Sequence, residues 1–196
     1  MKKMFSLTSD KDNIRCFLDL DGCTVNWLDA ACKSCGADPE EKSLRDKLKK
    51  GQNLDVALGV PEEDIWRDIN KNSVAWWTGL KELPWARKLV KSLKPFDPCF
   101  LSSPGKKHKT AAIACHGKAL WLEEHFPDMP YFFAYKKEMV ASSASILIDD
   151  QEKKVKLFES NGGNVFHWKN QYKFIDGDLD VDEEIEKLVK MIKDLS

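Results

Sequence analysis

Short apolar runs alternate with amphipathic segments along this chain of 196 residues. Runs rich in apolar and β-branched residues predict strands, and apolar positions that recur with a helical period predict helices. The strands span residues 14–18, 99–101, 131–134, 145–148 and 164–168, and the helices span residues 83–93, 111–125, 151–160 and 181–195. Strands that alternate with helices favour an α/β fold, with a Rossmann-like, mainly parallel sheet that helices cover on both faces.

The stretch from residue 24 to about residue 81 interrupts this alternation, because no run in it has the pattern of a strand. It predicts helices that break at the sequences GADPE and GVPEED, and Pro61 suits the first turn of a helix. A helical segment placed directly after the first strand predicts a cap. We therefore expect a core formed by residues 1–22 and 96–196 and a helical cap formed by residues 23–95.

Composition and charge exclude several classes of protein. Hydrophobic residues make up 42% of the chain, which suits one globular domain with room for an insertion. Because 31 basic residues balance 32 acidic residues, no overall field favours an extended nucleic acid or a membrane surface. No apolar run approaches the ~18 residues of a spanning helix, and MKKMFSLTSDKDN lacks the apolar centre of a signal peptide. We expect a cytoplasmic protein with no membrane partner.

The six cysteines do not predict a disulfide framework, because a chain of this length does not need one. Cys32 and Cys35 form a Cys-x-x-Cys pattern, which occurs in zinc sites and in redox pairs. No second pair of this kind completes a zinc site, and no strand precedes the pattern as in thioredoxin-like proteins. We expect mostly reduced thiols and two cysteines one turn apart on a helix.

Acidic side chains cluster where two predicted strands end. Asp19 and Asp21 follow the first strand, and their spacing in an extended segment points both carboxylates to the same side. Asp149 and Asp150 follow the fourth strand. Since the carboxyl ends of parallel strands share one edge of the sheet, we expect Asp19, Asp21 and Asp149 to surround one point. Like charges need a cation there, and carboxylate oxygens suit Mg²⁺.

Hydroxyl and ammonium groups are expected at the same edge. Ser102 and Ser103 follow the second strand, with Lys106 shortly behind them. Lys136 and Lys137 follow the third strand. An ammonium group near a metal-bound anion screens the charge among reacting groups. Acids, hydroxyl, lysine and metal together indicate phosphoryl transfer.

At these residues the sequence resembles the haloacid dehalogenase (HAD) superfamily of phosphatases, and the likeness covers most of the chain. DLDG matches the first motif of that superfamily, LSS the second, a lysine before ILIDD the third, and the acidic pair of ILIDD the fourth. Four motifs in this order, each at a predicted strand end, are specific. LSSPGKK, KEMVASSASILIDD and NGGNVFHW resemble the 5'(3')-deoxyribonucleotidases and related bacterial and phage nucleotidase-like proteins. Asn26 stands where those nucleotidases often have an acid, which weakens the transfer of substrate preference.

The resemblance implies a catalytic role for each matched residue. Asp19 would attack phosphorus and become an aspartyl phosphate, and Asp21 would protonate the leaving oxygen and then activate water. Ser102 would donate a hydrogen bond to a phosphoryl oxygen. Lys137, which the spacing to ILIDD favours over Lys136, would hold the nucleophile and the phosphate together.

The resemblance also implies Mg²⁺ as the cofactor. The metal would be bound by Asp19, by the backbone carbonyl of Asp21 and by Asp149. Asp150 would support the metal from nearby. The expected metal-site residues are therefore Asp19, Asp21, Asp149 and Asp150.

Substrate contacts are expected from the loop after the second strand and from the cap. Ser103 and Lys106 match positions that contact phosphate in the nucleotidases, although a lysine in such a charged run is by default a solvated residue. Five tryptophans lie in the cap, at positions 27, 66, 76, 77 and 85. Aromatic faces above a phosphate site can stack a nucleobase, but most tryptophans pack in a core. We take Trp76 and Trp77 as candidates for substrate contact.

The expected function is Mg²⁺-dependent hydrolysis of a small phosphomonoester, with a nucleoside monophosphate favoured. A second hypothesis is a phosphatase for another small metabolite, such as a sugar phosphate. A third is a phosphate-ester binding protein with little turnover, against which the intact Asp19, Asp21, Lys137 and Asp149 argue. Hydrolysis of phosphates at nucleic-acid ends would need a basic groove, which the balanced charge does not support. The base, the sugar and the oligomeric state stay open.

Overall fold

Five parallel strands form the sheet in the computed structural model, which describes residues 14–71, 73–105 and 108–196. The strands are β1 (Arg15–Leu18), β2 (Cys99–Ser102), β3 (Tyr131–Phe133), β4 (Ser145–Asp149) and β5 (Asn164–His167). They lie in the order β3-β2-β1-β4-β5, and every neighbouring pair is parallel. The predicted α/β fold is confirmed, and each predicted strand agrees with the observed one to within about one residue at either end.

The central strands are apolar throughout because both faces of the sheet are covered. In β1, Cys16 and Leu18 belong to the larger apolar cluster on one face, whereas Phe17 belongs to a smaller cluster on the other. Side chains of β4 alternate in the same way, with Leu147 beside Phe17. Strands that are buried on both faces are encoded as continuous apolar runs rather than alternating ones.

In the described ranges, six α-helices follow β1 before the chain returns to the sheet. They are α1 (Trp27–Ser34), α2 (Lys42–Lys49), α3 (Leu54–Leu58), α4 (Glu62–Lys71), α5 (Ser73–Thr78) and α6 (Ala86–Leu93). Asn26 caps α1, since its Oδ1 accepts from the Asp29 backbone N–H at 3.2 Å. Pro61 directly precedes α4, as the sequence predicts. The division of the chain into core and cap at residues 22 and 95 remains a prediction.

Four further α-helices lie after β2 in the described part of the chain. They are α7 (His108–His125), α8 (Glu152–Ser160), α9 (Gln171–Ile175) and α10 (Val181–Leu195). The side chain of Asp180 caps α10 by accepting two backbone N–H groups at 2.7 and 3.1 Å. Ile185, Leu188 and Ile192 are buried along one face of α10, which is the periodicity that predicts this helix. The sequence pattern missed α9, because five residues are too short to establish a helical period.

Two tryptophan N–H groups fix the helical segment: one bond ties its two ends to each other, and the other joins it to α7. Trp85 Nε1 donates to the Cys23 carbonyl at 2.9 Å, and Trp121 Nε1 on α7 donates to the Leu80 carbonyl at 2.8 Å. One apolar cluster contains residues of the helical segment and of the sheet. The helical segment therefore shares an apolar core with the sheet.

All six cysteines are free thiols in the structure. Cys32 lies in α1 and Cys35 is its C-terminal cap, which places them about one turn apart. Within the described ranges, no helix combines the length and the apolar content needed to cross a membrane.

Candidate active site

The carboxyl ends of three strands bring together the residues that the sequence selects. Asp19 directly follows β1, Ser102 is the last residue of β2, and Asp149 is the last residue of β4. Because β1 pairs with β2 on one side and β4 on the other, these residues share one edge. The Asp19 backbone N–H donates to the Ile148 carbonyl at 2.8 Å, which fixes Asp19 beside Asp149. The strand ends thus converge as expected.

Lys137 bridges the carboxylates of Asp19 and Asp149. Its Nζ lies 2.5 Å from Asp19 Oδ1 and 2.6 Å from Asp149 Oδ2, and all three side chains are buried. Burial lowers the pKa of Lys137, but the two carboxylates outweigh it, so the pKa is raised and the ammonium stays protonated. Burial raises the pKa of Asp149 to about 6 against the opposing effect of Lys137. Lys136 is exposed, so Lys137 is the lysine that meets the acids.

Asp150 completes a cluster of three acids with Asp19 and Asp149, whose oxygens lie within 4.8 Å of one another. Asp150 Oδ1 is buried and has no hydrogen-bond partner in the described part of the chain. Burial, followed by the nearby carboxylates, raises the pKa of Asp150 well above its usual value. Gly22 makes room for this side chain: its φ is +76°, and a Cβ there would overlap the Asp150 carboxylate.

The three acids fit a hard divalent cation. A buried carboxylate oxygen without a partner is unfavourable, and a bound cation would satisfy it. Donor sets made only of oxygen favour Mg²⁺ over softer metals. Asp19, Asp149 and Asp150 are the residues whose carboxylates would hold the ion. The Asp21 carboxylate is paired with a lysine instead, which leaves the Asp21 backbone carbonyl as its predicted contribution.

Gly22→Ala is expected to lower the free energy of unfolding by roughly 2–4 kcal/mol, because a methyl group at positive φ adds backbone strain and displaces the Asp150 carboxylate. Urea denaturation measures this loss. Gly36→Ala is the matched control, since Gly36 has a φ of +73° and nothing within 4 Å of an added Cβ. The control should lose only about 1 kcal/mol from backbone strain. Equal losses in the two variants would contradict the close approach of Asp150 to Gly22.

Lys118, on α7, holds the second acid of the first motif. Its Nζ lies 2.5 Å from Asp21 Oδ2 and donates to Ser102 Oγ at 3.0 Å and to the Ser103 carbonyl at 2.9 Å. The Lys118 side chain is 2% exposed. Burial raises the pKa of Asp21, whereas the Lys118 ammonium opposes that rise. Asp21 Oδ1 is buried and has no hydrogen-bond partner among the described residues, so one carboxylate oxygen is held and the other is available.

Lys118 is not among the residues predicted from the sequence, although its position carries a signal. Ala114, Lys118 and Trp121 are spaced along one face of α7 and are all buried, so a lysine stands where the helical pattern expects an apolar residue. Gly117 lets α5 approach, because a Cβ there would overlap the Cβ of Trp77. The Trp77 ring then lies 5.0 Å from Lys118 Nζ, which is a cation–π distance.

The two serines at the end of β2 have different surroundings. Ser102 is fully buried. The Ser103 hydroxyl donates to the Ala134 carbonyl at 3.3 Å and accepts from Lys154 Nζ at 3.2 Å. Lys154 is a second lysine that the sequence analysis did not select. Lys106, which was predicted to contact phosphate, lies outside the described residues.

Four tryptophans of the helical segment form a connected aromatic group beside these side chains. Their ring centroids are separated by 6.0 Å for Trp27 and Trp66, 6.4 Å for Trp27 and Trp76, and 4.8 Å for Trp76 and Trp77. The Trp66 ring faces Gly105 in the loop after β2. The group therefore extends from the loop that carries the serines to the α7 lysine.

The two tryptophans selected from the sequence differ at their polar edges. Trp76 Nε1 donates to Ser34 Oγ at 2.7 Å, so its donor is used within the helical segment. Trp77 Nε1 is buried and finds no acceptor in the described ranges. As far as the described residues show, the Trp77 donor next to Lys118 is unused, whereas Trp76 offers only its ring.

Comparisons with known proteins bear on the fold. Neither protein-family models nor curated proteins give a match. A candidate phosphoglycolate phosphatase from Lactobacillus delbrueckii subsp. bulgaricus is similar in structure, with 11% identity over 91% of this chain and 97% of that chain and a TM-score of 0.51. A protein from Clostridium acetobutylicum, named a predicted phosphatase, has 17% identity over 91% and 100%, with a TM-score of 0.49. A HAD family hydrolase from Deinococcus radiodurans, with bound phosphate and sodium, has 13% identity over 80% of each chain, with a TM-score of 0.47.

At such low identities a structural likeness concerns the fold alone. Only the Lactobacillus protein among these three exceeds a TM-score of 0.5, and its likeness agrees with the strand order and the parallel sheet described above. The motifs and the topology lead to the same fold. The chain therefore has the Rossmann-like α/β fold that its four motifs predict.

Proposed function

We propose that the protein hydrolyses phosphomonoesters through an aspartyl phosphate on Asp19, with Mg²⁺ as the cofactor. The observation that carries this proposal is that two carboxylates only two residues apart have separate lysine partners. Asp19 pairs with Lys137 inside the acidic cluster, whereas Asp21 pairs with Lys118 outside it. Different surroundings suit different tasks, with Asp19 as the nucleophile and Asp21 as the acid and base.

In the first step, a carboxylate oxygen of Asp19 forms a bond to phosphorus. The bond from phosphorus to the ester oxygen breaks, and that oxygen takes a proton from Asp21. Asp21 Oδ1 suits this transfer because Lys118 holds only Oδ2. Lys137 and Lys118 place two ammonium groups beside the transferred phosphoryl group, and the Ser102 hydroxyl lies with them.

In the second step, water attacks phosphorus and gives a proton to Asp21. The bond between phosphorus and Asp19 breaks, which releases inorganic phosphate and restores the carboxylate. Asp21 therefore returns to the protonated state in which it started. One side chain acts as acid and then as base, so both steps depend on it.

The cofactor would be held by the carboxylates of Asp19, Asp149 and Asp150 and by the backbone carbonyl of Asp21. When bound, Mg²⁺ supplies positive charge that neutralises the phosphate and the acids around it. Lys137 keeps Asp19 and Asp149 in place within this cluster. In this proposal Lys137 holds the nucleophile in place and also contacts the phosphate.

For the substrate we propose a nucleoside monophosphate, with residues 23–95 acting as a cap that excludes water. The support is the group formed by Trp27, Trp66, Trp76 and Trp77, which adjoins the loop after β2 and the α7 lysine. A base stacked on such rings contributes ~1–3 kcal/mol to binding. Ser103, and Lys106 by resemblance, would contact the phosphate. A small soluble substrate also agrees with the balanced charge of the chain.

Phosphate release from a panel of substrates tests this function. The panel contains 5'- and 3'-nucleoside and deoxynucleoside monophosphates, sugar phosphates and phosphoglycolate, each assayed with Mg²⁺ and with EDTA. We expect kcat/KM for the best nucleotide to exceed that for the sugar phosphates by about 100-fold, as the loss of base stacking predicts. Removal of Mg²⁺ should lower the rate by about 100-fold or more.

Each outcome of the panel separates the hypotheses. Turnover confined to sugar phosphates or phosphoglycolate would keep the mechanism and replace the substrate. The fold neighbour described as a candidate phosphoglycolate phosphatase is the reason to include that compound. Full activity in EDTA would contradict the metal site, and release from no ester would favour a binding protein.

A further inference from the structure

Lys154 links two loops of the site. It lies in the first turn of α8, and its ammonium donates to Ser103 Oγ at 3.2 Å and to the Tyr135 carbonyl at 3.1 Å. Ser103 belongs to the loop after β2, and Tyr135 belongs to the loop that leads from β3 to Lys137. One side chain on a third element thus fixes the spacing between the serine loop and the lysine loop.

Among the described residues, the Lys154 ammonium has no ion-pair partner. Lys118 and Lys137 each contact a carboxylate, but within the described ranges no carboxylate lies within 4.0 Å of the Lys154 ammonium. Burial lowers the pKa of Lys154, and the nearby Lys137 ammonium lowers it further. Three acids oppose this effect from a greater distance: Asp149, Asp19 and Glu138. A partly buried cation of this kind favours an anion beside it.

The Ser103 hydroxyl is arranged so that it can serve such an anion. Its oxygen accepts from Lys154, and its hydrogen points to the Ala134 carbonyl at 3.3 Å, which is a long hydrogen bond for a hydroxyl. Rotation about the Cβ–Oγ bond moves only the hydrogen. Lys154 can therefore hold the oxygen in place while the hydroxyl turns from Ala134 to a phosphoryl oxygen.

We propose that Lys154 is a positioning residue for the substrate phosphate: it orients the Ser103 hydroxyl toward the anion and adds positive charge to that side of the site. This inference rests on the proposed function, because it takes the anion to be the phosphate of the ester. Lys154 lies outside the four sequence motifs, because it is on α8, which begins after the acidic pair of the fourth motif. It acts through Ser103, so its loss should weaken binding more than it slows chemistry.

The test compares Lys154→Met with Lys153→Met. Lys153 is the adjacent, exposed lysine of α8, and its replacement removes the same charge without touching either loop. Titration calorimetry with inorganic phosphate in Mg²⁺ should show about tenfold weaker binding for Lys154→Met and no change for Lys153→Met. In steady-state kinetics, KM for the ester should rise about tenfold while kcat changes less than about threefold.

Two further variants separate positioning from a general loss of structure. Lys154→Arg keeps the charge and the donors, so it should recover most of the phosphate affinity. In a Ser103→Ala background, Lys154→Met should weaken phosphate binding less than it does in the wild type, because the hydroxyl that it orients is gone. Urea denaturation of each variant shows whether it is folded, and if Lys154→Met does not fold, Lys154→Gln is compared with Lys153→Gln in the same phosphate titration.

The outcomes distinguish this inference from the proposed function. Phosphate binding by the wild type with equal affinity in Lys154→Met would overturn the role of Lys154 and leave the hydrolase proposal in place. A fall in kcat with unchanged KM would overturn it as well, since it would place Lys154 in the chemical step. A wild type that neither binds phosphate nor releases it from esters would overturn the hydrolase proposal itself.

Discussion

Asp19→Asn is expected to lower the rate of phosphate release by about 10⁴-fold or more and to leave the protein folded. An amide has nearly the shape of a carboxylate, but it is not a nucleophile toward phosphorus. The change removes one negative charge from the cluster with Asp149 and Asp150, and Lys137 keeps its bond to Asp149. Two measurements on the same preparation test this prediction: the initial rate with the best substrate of the panel, and urea denaturation.

Asp194→Asn is the matched control for this experiment. Asp194 is an exposed carboxylate near the end of α10, where it pairs with Lys190 on the same helix. The control should retain wild-type activity, because an exposed helical ion pair of this kind contributes little. Activity of Asp19→Asn within about tenfold of the wild type would show that another group attacks phosphorus.

Asp21→Asn is expected to slow the hydrolysis of an ester by a factor that depends on the leaving group. With an alkyl phosphate such as a nucleotide, the leaving oxygen needs a proton, and turnover should fall by about 10³-fold. With p-nitrophenyl phosphate the leaving group departs as a stable anion, so the first step should slow by less than about tenfold. Asp21 is also the base for the second step, so hydrolysis of the aspartyl phosphate should become rate-limiting.

Stopped-flow absorbance measures this difference as a burst. Asp21→Asn should release p-nitrophenolate rapidly, in an amount equal to the protein present, and then turn over slowly. The wild type and Asp194→Asn should show no burst, since water is activated in both. An equal loss of turnover for the alkyl and the aryl ester, without a burst, would contradict the assignment of Asp21 as acid and base.

The position of Asp19 beside Asp149 could be predicted from the sequence because it depends on secondary structure alone, whereas the third acid of the cluster is Asp150 and not the predicted Asp21. Asp19 and Asp149 were placed together by the rule that parallel strands end at one edge, and the structure has them bridged by one lysine. The choice of Lys137 over Lys136 came from spacing, and the buried position of Lys137 agrees with it.

Lys118 and Lys154 were not predicted, because their contacts depend on how helices pack. Lys118 reaches Asp21 only because Gly117 lets Trp77 approach α7 and bury that face. Lys154 lies beside the buried Val155 on α8, and nothing in the local pattern distinguishes it from Lys153. A long flexible side chain contacts whatever its helix is packed against, which is tertiary information.

The tryptophans show the same limit in another form. Their number in residues 23–95 indicated an aromatic cap, but the pattern did not separate their roles. Trp85 bonds to the Cys23 carbonyl and Trp76 to Ser34, whereas the Trp77 donor beside Lys118 has no acceptor in the described part of the chain. These partners lie far away in sequence, so propensity and periodicity do not specify them.

The aspartyl phosphate on Asp19 is the central claim, and chemical trapping tests it most directly. Asp21→Asn is mixed with p-nitrophenyl phosphate and Mg²⁺, quenched during the burst and treated with borohydride, which reduces an acyl phosphate to an alcohol and leaves free carboxylates intact. Mass spectrometry of the digested protein should find homoserine in place of aspartate at position 19, and only in samples that received substrate. Reduction at another acid, or an unmodified Asp19 in protein that has released its full burst, would contradict the account.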